Sequence, residues 1–78
     1  LSEYELKHLE QLSGNQPFPY TKQRAFEQEL RHLRAFGFIE NLPGKTISGM
    51  APTGDLRDYV KITQKGIDFL SKKQYNVV

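Results

Sequence analysis

Leu6, Leu9 and Leu12 recur every three positions and the pattern stops at Gly14. That spacing places one apolar stripe along a short helix. Ser2 and Glu5 stand ahead of it as Ser-x-x-Glu, a capping box in which each side chain satisfies an orphan backbone N–H. The pattern predicts a first helix over residues 3–13. Phe26, Leu30 and Leu33 fall at i, i+4 and i+7 and predict a second helix, capped by Thr21 and running to about Phe36. Gly37 suits the left-handed residue that ends a helix. Between the two helices, Gly14 to Tyr20 holds two prolines, each lacking an N–H and restricting its predecessor, so no helix forms there. Phe18 and Tyr20 are expected to tuck onto the core from this loop.

Beyond Gly37, Phe38 and Ile39 start a strand and Pro43-Gly44 marks a turn. Lys45 to Ser48 reads as a second short strand, and Gly49 to Gly54 as a loop tip. Leu56 to Ile62 has the β-branched and aromatic content of a returning strand. Residues 38–62 are thus expected to form a long hairpin with its tip near 48–55. Thr63 is placed to cap a last helix over residues 64–73, with Ile67 and Leu70 facing inward, and residues 74–78 read as a frayed tail. The fold class expected is α+β, in the order helix, loop, helix, strand, long hairpin, strand, helix.

A chain of 78 residues holds one domain, and one that buries only about 60% of its unfolded surface. Apolar residues make up 37% of the chain, below the usual globular share. A start at Leu1 rather than Met fits one domain of a larger protein, and the absence of cysteine agrees with the expected intracellular, cytoplasmic setting. With no cysteine, neither a disulfide nor a thiolate zinc site can form. No apolar run reaches the length of a membrane span. Net charge is +2, too small to name a partner, so its distribution matters more. Residues 1–20 carry Lys7 against Glu3, Glu5 and Glu10, while residues 21–37 carry Lys22, Arg24, Arg31 and Arg34 against Glu27 and Glu29. The basic half of the chain is the second.

Two blocks carry a family resemblance. The first is Leu30-Arg31-His32-Leu33-Arg34-Ala35-Phe36-Gly37-Phe38-Ile39. The second is Tyr59-Val60-Lys61-Ile62-Thr63-Gln64-Lys65-Gly66, followed by Phe69-Leu70. In this order and spacing they resemble the winged helix-turn-helix superfamily, in particular its bacterial members. The resemblance implies a recognition helix at 21–36, a wing between residues 38 and 62, and a role as a transcription-regulator-like DNA-binding module. The chain departs from that pattern in one respect. A helix-turn-helix joins its helices by three or four residues, whereas here seven residues with two prolines intervene. Either the middle helix is missing or shortened, or the first helix takes its place across an enlarged turn.

The candidate nucleic-acid contacts are Lys22, Gln23, Arg24, Gln28 and Arg31 on the second helix, with Lys45 and Arg57 on the wing. Arg pairs with guanine or phosphate, and Gln with adenine. The same residues also suit a solvated helix face, with Glu27 and Glu29 placed to pair with Arg31 or Arg34. The alternative is a protein-interaction or dimerisation module that uses Tyr4, Phe18, Tyr20 and Met50. Gly44-Lys45-Thr46 is no phosphate-binding loop, because Ile39 stands where the required earlier glycine would be. His8 and His32 lie on different helices and read as helix-flank residues. No catalytic constellation, metal site, cofactor or small-molecule substrate is expected.

Overall fold

Ser2 and Glu5 form the expected capping box: the Glu5 N–H donates to Ser2 Oγ at 3.1 Å, and the Ser2 N–H donates to Glu5 Oε1 at 2.8 Å. They start α1, Glu3–Ser13, which buries Leu9 and Leu12. A computed structural model describes residues 1–75 of the chain. Its elements make a small α+β domain with three helices and two small antiparallel sheets.

The segment after α1 is not only a loop. Pro19–Thr21 forms β1, which pairs antiparallel with β3, Thr53–Asp55. The Lys22 N–H to Pro52 O bond (2.7 Å) and the Leu56 N–H to Phe18 O bond (2.8 Å) extend this ladder at both ends. Pro19 is tolerated because it opens a strand that has one partner only. This pairing moves the start of α2. Thr21 is held in β1 and does not cap; α2 runs Arg24–Ala35, with an extended Gln23 at its cap and no capping side chain. The far end matches expectation. Gly37 takes φ +83°, its N–H donates to Arg34 O, and the Phe38 N–H donates to Leu33 O, the paired bonds of a Schellman motif.

The expected long hairpin is only half present. β2, Ile39–Asn41, pairs with β4, Val60–Ile62, in antiparallel register. Residues 42–59 between them do not extend outward as a wing. Lys45 to Ser48 forms no strand, and the expected tip folds back so that β3 meets β1. Ile47 and Met50 become core residues. Two tyrosines hold the fold-back at Ala51. The Tyr20 hydroxyl donates to Ala51 O at 2.7 Å, and the Ala51 N–H donates to Tyr59 Oη at 3.3 Å. The expected strand 56–62 is likewise divided, a single 3₁₀ turn at Leu56–Asp58 preceding β4.

Thr63 caps α3, Gln64–Tyr75, as expected: its Oγ1 accepts the Gly66 N–H at 3.1 Å and donates to Gly37 O at 2.6 Å. Leu70 faces inward, but Ile67 is 42% exposed, against expectation. The inner side of α3 is set at Gly66, where a Cβ would collide with Phe38 O and lie 2.8 Å from Ile62 Cγ1. The next residue turns about 100° away from that contact. The helix includes residues 74 and 75, which were expected to fray; the rest of the expected tail, 76–78, lies outside the described residues. Leu9, Leu30, Leu33, Ile39, Ile47, Leu56 and Val60 are fully buried, and Tyr20 of β1 and Leu70 of α3 join them in one core. Among the described residues, no helix is long and apolar enough to cross a membrane.

Candidate nucleic-acid interface

Leu30 and Leu33 are completely buried, and they fix the rotation of α2. With that face inward, Arg24, Gln28, Arg31 and Ala35 fall on one outward column at i, i+4, i+7 and i+11. All four are exposed, as is Gln23 at the cap. Arg31 Nη2 lies 3.5 Å from Glu27 Oε1, an exposed i, i+4 pair of small energetic weight. Among the described residues, Arg24 and Arg34 make no ion pair or side-chain hydrogen bond.

The other expected cations are used differently. Lys22 Nζ donates to Ser48 O at 2.8 Å and to Met50 O at 3.1 Å, tying the folded-back segment to the start of α2. Arg57 is committed to the far end of α1. Its Nε donates to Gln16 O at 2.6 Å, Nη1 to Leu12 O at 3.2 Å, and Nη2 to Gln11 O at 2.9 Å and Gly14 O at 2.6 Å. A cation there also opposes the negative end of the helix dipole. Both side chains therefore hold the fold where nucleic-acid contacts were expected, Lys22 on the second helix and Arg57 on the wing. Lys45 is exposed, with Nζ 5.6 Å from the centre of the Tyr59 ring.

The alternative protein-facing set is not a surface. Phe18, Tyr20 and Met50 are 5%, 7% and 3% exposed and belong to the core. Burial and the neighbouring Tyr59 and Asp58 push the Tyr20 hydroxyl above its ordinary pKa, so it stays a neutral donor. Tyr4 alone of that set is exposed, at 66%.

Two polar links went unseen in the sequence. His8 Nε2 meets Glu29 Oε1 at 2.8 Å, and His32 Nδ1 meets Glu5 Oε2 at 2.6 Å. The two pairs cross between α1 and α2 in opposite order, so the helices run antiparallel. The signal was Glu5-x-x-His8 on one helix and Glu29-x-x-His32 on the other, each one turn apart on a single face. Glu5 is buried. Burial alone would raise its pKa, but the Ser2 N–H, the His32 ring and the Ser2 hydroxyl outweigh that and hold the carboxyl below its ordinary value. The four groups form two pairs and do not converge; among the described residues no three His, Asp or Glu side chains are grouped to hold a metal ion.

No protein-family model, curated protein or solved structure matches this chain.

Proposed function

We propose that this domain is a winged-helix-like module that binds duplex nucleic acid through the outer face of α2. The observation that carries the reading is the column Arg24, Gln28, Arg31 and Ala35, exposed along a helix whose opposite face is locked into the core. Twelve residues give a helix about 18 Å long, and an α-helix fits the major groove of B-form DNA. The column pairs two arginines with a glutamine, side chains that reach phosphate and base edges. The two sequence blocks similar to winged-helix proteins support the same assignment.

The contact set is smaller than the sequence suggested. Lys22 and Arg57 are occupied by main-chain carbonyls, which leaves Gln23, Arg24, Gln28 and Arg31, with Lys45 as an outlying phosphate contact. Few cations mean modest affinity and a shallow salt dependence. The role is binding, without catalysis or a cofactor, in a cytoplasmic setting.

The test is an amide NMR titration with a mixed-sequence duplex at low and moderate salt. Shifts should cluster on Gln23, Arg24, Gln28 and Arg31 and shrink as salt rises. No shifts at low salt, or shifts confined to α1, would remove the proposal.

A further inference from the structure

Away from the outer column of α2, three phenylalanine rings stack at the junction of α2, β2 and α3. Phe36 and Phe38 lie 5.5 Å apart at 11°, and Phe38 and Phe69 lie 4.6 Å apart at 26°. The stack reaches the surface at Phe36, which is 42% exposed. Beside it runs an open groove of about 330 Å³, lined by Phe38, Lys65, Asp68, Phe69 and Lys72. Lys65, Phe69 and Lys72 stand at i, i+4 and i+7 on one side of α3, so the two ammonium groups flank an aromatic floor. Lys65 Nζ is 5.9 Å from the Phe38 ring centre. Among the described residues neither lysine has an ion-pair partner, and Asp68 between them accepts a hydrogen bond from Gln64 Nε2 at 3.0 Å.

We infer that this groove is a docking site for an acidic peptide segment of a partner protein, which inserts one large apolar side chain between Lys65 and Lys72. Two features select that occupant. The Phe38 and Phe69 rings on its floor suit an apolar side chain, in a volume at the lower end of small-ligand sites, which run about 300–1,000 Å³. The two lysines, without an ion-pair partner among the described residues, call for carboxylates on either side of the anchor, with Asp68 limiting the attraction. The site shares no residue with the α2 column, so it stands or falls independently of the nucleic-acid reading.

The experiment pans a random decapeptide display library against the whole domain, then maps the enriched peptide by amide and methyl NMR. Enriched sequences should carry one Leu, Ile, Met or aromatic residue flanked by Asp or Glu. Shifts should centre on Phe38, Lys65, Asp68, Phe69 and Lys72. The exposed double variant Lys65→Glu/Lys72→Glu, shown folded by circular dichroism, should lose at least about tenfold in affinity because like charges now face each other. Asp68→Asn should tighten binding. Peptides that enrich without acids, that map elsewhere, or that bind the double variant equally well would overturn the inference. So would a library that yields no binder, or displacement of the peptide by single-stranded oligothymidylate.

Discussion

Arg57 Nη2 and the carbonyl of Gly14 lie 2.6 Å apart, joining the 3₁₀ turn before β4 to the end of α1 across 43 positions of sequence. The same guanidinium reaches three further carbonyls, of Gln11, Leu12 and Gln16. No lysine, with one compact ammonium, can match that fork. Arg57→Ala should therefore destabilise the domain by about 1–3 kcal/mol, the range for a hydrogen-bonded charge. Arg57→Lys should recover only part of the loss. Urea denaturation of the three proteins measures both, and equal stability would show that the guanidinium does not hold the helix end.

Leu33 and Arg24 lie on opposite faces of α2. Leu33 is fully buried, and Leu33→Ala should cost about 2–5 kcal/mol through lost contacts and the cavity left behind. That is a large share of what so small a domain has. Arg24→Ala should stay within about 0.5 kcal/mol of the parent. Chemical denaturation gives both values, and the reverse ranking would mean that α2 is rotated.

Gly66 marks the close approach of α3 to β2. In an exposed helix, Gly→Ala would stabilise by up to about 1 kcal/mol. Here the added methyl meets Phe38 O and Ile62 Cγ1, and backbone yields less readily than a side-chain tip. Overpacking of this kind costs about 1–3 kcal/mol, so Gly66→Ala should be net destabilising. A higher melting temperature for the variant would show that the two elements separate freely.

The end signals were legible because they are local. The Ser2–Glu5 box, the stop at Gly37 and the Thr63 cap each involve residues within a few positions, and their backbone bonds form as read. The core face of α2 was legible from Leu30 and Leu33. What the sequence hid was long-range. β1 and β3 are three residues each, and one begins with Pro19. Their pairing spans more than 30 positions, from Thr21 to Thr53. Once it forms, Thr21 cannot cap α2, Met50 turns inward, and Lys22 is drawn onto Ser48 and Met50. The same fold-back brings Arg57 to α1. A cation in a polar segment looks the same in sequence whether it faces phosphate or a carbonyl, so half of the expected wing site could not be told from a structural support.

The surroundings of Glu5 give the sign of a pH dependence in stability. Its folded pKa lies below the ordinary 4.5 because the Ser2 N–H and the His32 ring, with the Ser2 hydroxyl, outweigh the effect of burial. A depressed carboxyl contributes stability above its unfolded pKa and loses it as pH falls through the folded value. Stability should therefore drop below about pH 4.5. Glu5→Gln should be less stable than the parent at neutral pH, and the gap should narrow as the solution is acidified. Denaturation curves from pH 3 to pH 7 test this; a gap that widens in acid would contradict it.

The outward column of α2 is the centre of the functional account, and the salt dependence of duplex binding tests it most directly. Fluorescence anisotropy with a labelled mixed-sequence duplex should show binding by the parent that weakens linearly in log Kd against log salt. Arg24→Ala and Arg31→Ala should keep the fold, weaken binding, and each lower the slope by about 0.9 if the lost contact is to phosphate. A base contact would instead cost about 1–3 kcal/mol at a preferred sequence and relax that preference. Arg57→Ala, in conditions where it remains folded, should keep the parent's slope, because its guanidinium faces α1. Equal slopes and affinities for the parent and both α2 variants, or no salt-sensitive binding by the parent, would contradict the account.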